Sequence, residues 1–316
     1  MSAEPLEEMI SWKAYDIPAG LATGSIPVHI GEVGSGGPVG VVTASVHGDE
    51  GPWGTWSVNR LIAQATRDEL IGTLRIVPVA HPLAMAADAR QTDLDLLDLN
   101  NVFPGDPRGT HTQRLAAVLA EHAIDGADVV LDVHGGGSWN INCFTYRFPG
   151  SHELAAWMRT PLIFDGPDRG TSLTGYARAQ GATGIWIEMG GRGEWEEDRA
   201  EHVTKGLRHA LGRAGVMTPV SEFGSTPVVS SDKVALSTSS AGIYRPRIRE
   251  RGLGTIVERG TVIGELLDPV TSRVLEEFVA PYDRNALALL RPTLARIEAP
   301  GKVVAVVGDV TGAISE

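Results

Sequence analysis

Charge-free runs rich in β-branched residues alternate with amphipathic segments over roughly residues 40–213. Such runs are typical of strands that are buried on both faces of a parallel sheet. Pro78, which lies in the second run, either weakens the prediction of a strand there slightly or indicates a position near an edge of the sheet. The predicted strands are 40–46, 74–80, 128–133, 162–164 and 183–187.

Several segments between and after these strands carry apolar residues at helical spacing. Ser151 is a suitable N-cap for one of these helices, and Gly181 is a suitable stop for another. The alternation of strands and helices predicts an α/β fold with a mostly parallel, mixed sheet flanked by helices. The predicted helices are 53–62, 112–124, 151–159, 171–180 and 195–211.

The pattern changes near Gly215, and short β-type runs separated by Gly, Pro and Ser follow from Thr226 onward. We therefore predict two domains, a catalytic domain over residues 1–219 and a smaller β-rich C-terminal domain over residues 220–316. The predicted C-terminal strands are 228–229, 242–244, 255–257, 262–264 and 303–307.

The composition is that of an ordinary globular protein. Of 316 residues, 42% are hydrophobic and 21% are charged, which argues against wholesale disorder. The sequence lacks an apolar run of about 18 residues, so we expect no membrane span. The formal net charge of −12 disfavours nucleic acid as a partner, because a phosphate backbone is usually bound by a basic face.

Cysteine usage and the N-terminal segment indicate the compartment. Cys143 is the single cysteine, which excludes internal disulfides and multi-cysteine metal clusters. The segment 1–20 is acidic and lacks the basic and apolar regions of a secretory signal. We therefore expect a cytoplasmic protein.

Polar residues follow three of the predicted strands directly. His47 and Glu50 come after the first strand, His134 after the third, and Glu188 after the strand at 183–187. Ligands of open parallel sheets bind at the carboxyl ends of the strands, so side chains remote in sequence can converge there.

The residue types are those of a catalytic zinc site. Two imidazoles and one carboxylate commonly hold zinc and leave a fourth position for water, and a further carboxylate can act as general base. The spacing His47-x-x-Glu50 is a weak signal by itself. The alternative is that His47 and His134 are capped loop histidines and that Glu50 is solvated.

Four motifs in this order resemble the succinylglutamate desuccinylase/aspartoacylase family, which has the zinc carboxypeptidase fold. The resemblance implies a deacylase and spans roughly residues 40–190, with the β-rich tail matching the family in outline. The motifs are His47-Gly48-Asp49-Glu50, Asp98 to Gly105, Asp132-Val133-His134 and Glu188-Met189-Gly190.

The resemblance implies one Zn²⁺ per chain, held by His47, Glu50 and His134. Glu188 would activate the zinc-bound water and pass a proton to the leaving amine. Arg90 would stabilise the developing negative charge on the attacked carbonyl. The alternative for Arg90 is a surface ion pair with Asp88 or Asp93.

The same resemblance assigns two further roles. Asp98 would orient a zinc-bound imidazole, that of His47, and Asn100 would contact substrate. The alternative for Asp98 is that it caps a turn. His81 also follows a strand, which makes it the strongest candidate for an additional residue of the site. Cys143 has no identifiable partner base and is not predicted to be a nucleophile.

Asn101 departs from the family pattern, in which an arginine at this position clamps a substrate carboxylate. Either the substrate is neutral at this subsite, or another arginine supplies the charge. The candidates for that arginine are Arg178, Arg192 and Arg108.

The leading hypothesis is a zinc-dependent amidohydrolase that removes an acyl group from a small N-acyl amine or amino acid. The alternatives are a metallocarboxypeptidase and, less favoured, a non-catalytic binding module on the same scaffold. Tyr244 and Tyr282 are candidates to reach the site from the C-terminal domain. Apolar β edges in that domain would also allow a homo-oligomer.

Overall fold

The computed structural model describes residues 4–20, 24–167, 169–221, 223–230 and 232–312. Six α-helices and seventeen strands are defined within these ranges. The helices are α1 (Gly51–Gln64), α2 (Pro82–Ala86), α3 (His111–Leu119), α4 (His152–Trp157), α5 (Leu173–Ala179) and α6 (Glu196–Arg213). The first nine strands are β1 (Ser11–Pro18), β2 (Ser25–Gly34), β3 (Val39–Ala44), β4 (Thr73–Val77), β5 (Val129–His134), β6 (Ile141–Arg147), β7 (Leu162–Asp165), β8 (Thr183–Gly190) and β9 (Val228–Val229). The remaining strands are β10 (Asp232–Ser237), β11 (Gly242–Pro246), β12 (Ile256–Glu258), β13 (Val262–Leu267), β14 (Val274–Val279), β15 (Arg284–Leu290), β16 (Ala295–Ile297) and β17 (Val303–Asp309).

A large mixed sheet runs through most of the molecule in the order β1-β2-β4-β3-β5-β8-β6-β15-β17-β10. Its centre, β4-β3-β5-β8, is parallel, so the carboxyl ends of these strands lie along one edge. β6 enters antiparallel beside β8, and β15 pairs antiparallel with β6. The start of β6 and the end of β15 therefore lie at the same edge as the carboxyl end of β8.

Helices cover the two faces of the central sheet. Val42 and Leu131 pack with residues of α1, α4 and α6 on one face. Val41 and Val130 pack with residues of α3 and α5 on the other face. Neighbouring residues of one strand thus enter opposite layers, because side chains of a strand alternate between faces. This two-sided burial explains why the central strands are charge-free for most of their length.

The C-terminal segment forms a second, four-stranded antiparallel sheet in the order β14-β13-β11-β16. Its other strands extend the large sheet, since β15 and β17 pair with each other and β15 with β6. The domain boundary at 219/220 stays a prediction. No helix in the described ranges is long and apolar enough to cross a bilayer.

The predicted α/β architecture is confirmed, and the predicted strands of the parallel core are present with ends shifted by up to three residues. The placement of the second strand near an edge is wrong. β4 ends at Val77, before Pro78, and pairs with strands on both sides. Ser151 stands at the N-cap position of α4, but its Oγ bonds the backbone of Phe148 instead of the helix. The N-terminal hairpin β1–β2 and the strand β6 were not predicted.

Candidate active site

The turn after β3 presents His47 and Glu50 from a short 3₁₀ segment, Gly48–Glu50. Gly48 is packed against the backbone of α2, where an added Cβ would lie 1.9 Å from the carbonyl carbon of Ala84. Glycine therefore lets the turn approach α2 closely enough to direct both side chains inward.

Three predicted ligand residues converge at the sheet edge. His47 Nδ1 lies 2.9 Å from Glu50 Oε1, and His134 Nδ1 lies 2.9 Å from Glu50 Oε2. One ligand atom of each residue lies within 4.8 Å of the others. The side chains of His47 and His134 are only 4% and 2% exposed, so the cluster is buried. Three such atoms at this separation suit one cation with bonds of about 2.0–2.2 Å.

Two further carboxylates lie behind the imidazoles. His47 Nε2 is 3.2 Å from Asp98 Oδ1, and His134 Nε2 is 2.9 Å from Asp132 Oδ2. Asp132 is itself fixed by the hydroxyl of Thr43, which donates to its Oδ1 at 2.5 Å. When each Nε2 donates its proton to a carboxylate, each Nδ1 presents a lone pair towards Glu50, which is the tautomer required of a metal ligand.

The electrostatics of this cluster suit a divalent cation. Burial opposes the charge of Glu50, yet the two histidines hold its pKa well below the usual range. Burial would likewise lower the pKa of His134, but Asp132 and Glu50 together raise it well above the ordinary value. The buried acids therefore favour positive charge at the centre of the cluster, supplied either by protons on the imidazoles or by a bound cation. A cation at the centre would satisfy all three groups.

Glu188 stands on β8 directly beside His134 of β5, since the two residues are register partners. Its carboxylate accepts a hydrogen bond of 2.8 Å from Nδ2 of Asn142. Burial and the neighbouring Glu50 carboxylate raise the pKa of Glu188 to about 7. A carboxylate with such a pKa is suited to exchange protons near neutral pH.

Arg90 faces the same cluster from the loop after α2. Its guanidinium donates two hydrogen bonds to Asp98 Oδ2, at 2.9 and 3.1 Å, and approaches Glu50 Oε1 at 3.5 Å. The alternative partner Asp88 is instead bound by Arg192. About half of the Arg90 side chain remains exposed, so it can still reach a ligand in the cleft.

Asn100 and Asn101 differ in their surroundings. Asn100 is buried, and its Oδ1 accepts a hydrogen bond of 2.9 Å from the backbone of Leu173 at the start of α5. Asn101 is exposed. Their contacts with substrate stay predictions. Arg178 is one of the arginines predicted to supply the charge that Asn101 lacks. It lies over the ring of Phe148, with its Cζ 4.7 Å from the ring centroid.

His81 and Cys143 are both buried. Burial and the nearby His111 lower the pKa of His81 to about 4, so its ring is neutral. Burial raises the pKa of the Cys143 thiol to about 12. The thiol therefore stays protonated, which agrees with its exclusion as a nucleophile.

The two C-terminal tyrosines were predicted to reach the site, and the structure places them elsewhere. Tyr244 is fully buried in the cluster between the two sheets, where it packs edge-on against Phe278. The hydroxyl of Tyr282 bonds Asp232. Both side chains are thus engaged within the C-terminal segment.

Two residues of the site were missed from the sequence. Asp132 was quoted within a motif but given no role, although a carboxylate two residues before His134 on a strand must share its face. Asn142 lies on β6, which was not predicted, and its contact with Glu188 depends on the pairing of β6 with β8. Asp132 could have been assigned from the sequence pattern, whereas Asn142 could not.

Comparisons with known proteins identify several relatives of this chain. A deacetylase of N-α-acetyl-L-2,4-diaminobutyric acid from Halomonas elongata is 26% identical over 90% of this chain and 86% of its own. A succinylglutamate desuccinylase from Silicibacter sp. TM1040 superposes with a TM-score of 0.82 at 23% identity, over 96% of each chain. The ectoine utilization protein EutE (DoeB) from Ruegeria pomeroyi, in a product-bound structure, gives 0.79 at 22% identity, over 95% of this chain and 96% of its own. Both of these solved structures have the same fold as this chain.

The family model of the succinylglutamate desuccinylase/aspartoacylase catalytic domain matches residues 37–213, which is more than half of the chain. This range contains every residue of the cluster described above. The chain therefore belongs to the succinylglutamate desuccinylase/aspartoacylase family of amide-bond hydrolases.

Proposed function

We propose that this protein is a zinc-dependent deacylase of small N-acyl amino acids. The observation that carries the proposal is the convergence of His47, Glu50 and His134, with a carboxylate behind each imidazole. Two nitrogens and one oxygen favour zinc among the common divalent metals, and one ion per chain satisfies the donor set.

The substrate class is inferred from the relative of known activity. That enzyme acts on N-α-acetyl-L-2,4-diaminobutyric acid, and it is similar to this chain over nearly its whole length. The first compounds to test are therefore N-acetylated diamino acids, followed by N-acetylaspartate and N-succinylglutamate. The acyl group and the amino acid are both parts of the proposal.

Different residues of the chain would have different roles in amide hydrolysis. When bound, zinc would supply Lewis-acid chemistry towards the amide carbonyl and towards water. Arg90, held by Asp98 at the rim of the cluster, would donate to the carbonyl oxygen as negative charge develops there. Glu188 would take a proton from the attacking water and deliver it to the nitrogen of the leaving amine.

Asp98 and Asp132 would keep the imidazoles of His47 and His134 in the Nδ1 lone-pair tautomer throughout. Burial of the cluster would strengthen these interactions, because the surrounding dielectric is low. The chain thus supplies a base, a cation for the oxygen and two oriented imidazoles.

The proposal is tested by metal analysis of the purified protein and a screen of N-acylated amino acids. Glu188→Gln should keep the zinc content and lose about 10²- to 10⁴-fold in kcat. Glu121→Gln, a change of an exposed glutamate remote from the cluster, serves as the control. Turnover of peptides with a free C-terminus in preference to N-acyl amino acids would favour the carboxypeptidase alternative. Zinc binding without any turnover would favour the binding-module alternative.

A further inference from the structure

We propose that Arg169, together with the hydroxyl of Tyr146, binds the α-carboxylate of the substrate and so sets the preference for N-acyl amino acids over N-acyl amines. This inference rests on the proposed function. Arg169 would supply, from the loop before α5, the positive charge that Asn101 lacks.

Two aromatic side chains form the row next to the proposed base. Trp186 lies two residues before Glu188 on β8, so the two side chains share one face of the sheet. Tyr146 of β6 is the register partner of Trp186, and their ring centroids lie 5.9 Å apart. The ring centroid of Trp186 also lies 5.5 Å from that of His134. The two aromatic side chains therefore extend the face that carries His134 and Glu188.

The guanidinium of Arg169 lies over this aromatic row. Its Cζ is 5.9 Å from the ring centroid of Trp186. Burial and the charge of Glu188 raise the pKa of the Tyr146 hydroxyl, whereas the charge of Arg169 lowers it. The hydroxyl is thus within electrostatic range of both charged groups. The α-carboxylate of an N-acyl amino acid is two bonds from the scissile nitrogen, so the group that binds it must lie near the base.

The loop that carries Arg169 is held against the loop predicted to contact substrate. The carbonyl of Arg169 accepts hydrogen bonds from the amide and the hydroxyl of Ser172, at 3.1 and 2.7 Å. The amide of the next residue, Leu173, donates to Oδ1 of Asn100 at 2.9 Å. Arg169 is therefore fixed beside the loop in which Asn101 stands where the family has arginine.

Arg169 is an exposed cation, and no carboxylate of the described ranges forms an ion pair with it. Stacking on Trp186 occupies the flat face of the guanidinium and leaves the N–H groups at its edge free. The hydroxyl of Tyr146 likewise donates no hydrogen bond to a described residue. A substrate carboxylate would accept two parallel hydrogen bonds from the guanidinium and a third from the hydroxyl.

Arg178, which the sequence suggested for this role, lies further from the metal cluster. It stacks on Phe148, and the ring centroid of Phe148 is 6.0 Å from that of Trp186. Arg178 therefore stands one aromatic ring further from His134 than Arg169 does. Arg169 is the better placed of the two to meet a carboxylate beside the base.

The test compares an N-acetyl amino acid that the wild type hydrolyses with the same compound carrying an α-carboxamide. Arg169→Gln should raise KM for the acid about 10- to 100-fold, with kcat within a few-fold, and leave KM for the carboxamide unchanged. Arg169→Lys keeps the charge without the planar fork and should give a smaller rise. Tyr146→Phe removes only the hydroxyl and should raise KM for the acid about 2- to 10-fold.

Arg213→Gln is the matched control. Arg213 is also an exposed arginine stacked on a tryptophan, since its Cζ lies 5.6 Å from the ring centroid of Trp157. It stands at the end of α6, which covers the other face of the sheet. Its replacement should leave KM for both compounds unchanged.

Equal losses on the acid and the carboxamide would overturn the inference, because they indicate a structural role for Arg169. Unchanged kinetics on both compounds would overturn it as well. A rise in KM for N-succinyl substrates but not for their N-acetyl counterparts would place Arg169 at the acyl group and overturn the assignment to the α-carboxylate. If the Gln variant does not fold, as judged by its melting temperature, the Lys variant decides by the same comparison. Absence of turnover by the wild type on all N-acyl amino acids would instead overturn the proposed function.

Discussion

Asn142 Nδ2 donates a hydrogen bond of 2.8 Å to the carboxylate of Glu188. Among the described residues, Asn142 is the one whose side chain donates to this proposed base. The donor stabilises the charged form of Glu188, opposing the burial and the Glu50 charge that raise its pKa to about 7. The pair therefore sets the pH at which the base becomes active.

Removing this donor should move the pH profile. Asn142→Leu should raise the pKa of Glu188, because the carboxylate loses a hydrogen bond worth about 1 kcal/mol. We expect the acid limb of kcat/KM to shift to higher pH by roughly half a pH unit to one pH unit. A pH series on both proteins measures this. A parallel drop in rate with no change in the midpoint would argue against the role of Asn142.

The pH dependence of the wild type follows from the same group. Glu188 acts as a base only when deprotonated, so kcat/KM should fall as the pH drops through its pKa. A bound cation favours the carboxylate, so the midpoint should lie below about 7 in the zinc-loaded protein. In Glu188→Gln, the residual kcat/KM should no longer fall as the pH drops through this range. A limb of the same midpoint in the Gln variant would assign the titration to another group.

Asp132 should act through His134 and not on the substrate. Asp132→Asn removes the charged acceptor of His134 Nε2 and should weaken zinc binding by about 10- to 100-fold. Excess zinc should restore most of the activity. Asp283→Asn, which changes an exposed ion pair with Arg259, is the matched control. Competition with a zinc chelator gives the affinities, and equal affinities in the two variants would contradict the assignment.

Gly48 should be intolerant of a side chain. Gly48→Ala would put a Cβ 1.9 Å from the backbone of Ala84, so the turn that carries His47 and Glu50 must move. We expect a loss of about 2 kcal/mol or more in the free energy of unfolding, together with weaker zinc binding. Gly312→Ala adds a Cβ in open space and is the control. Thermal unfolding with and without zinc measures both effects, and a wild-type melting temperature for Gly48→Ala would exclude the steric argument.

The parallel core could be predicted because its strands are buried on both faces. The charge-free run that includes Val41 and Val42 has no competing interpretation of similar strength, and the polar residues that end each strand then mark the site. β6 was missed because it begins inside a Gly-rich loop and mixes polar with apolar residues. Its strand identity comes from pairing with β8 and β15.

The same distinction separates the site residues that could be predicted from those that could not. His47, Glu50, His134 and Glu188 are attached to predictable strand ends, so their convergence followed from topology. Asn142 belongs to β6, whose register is fixed by its pairing with β8 and β15, both remote along the chain. No local pattern encodes such contacts, which explains why the contact of Asn142 with Glu188 became visible only in three dimensions.

The most direct test of the account is a zinc titration of the metal-free protein, followed by deacylase activity. We predict no activity without metal, a linear rise and a plateau at one zinc per chain. His134→Ala should bind zinc far more weakly and remain inactive at one equivalent. Full activity of the metal-free protein, or an unchanged plateau in His134→Ala, would contradict the central claim.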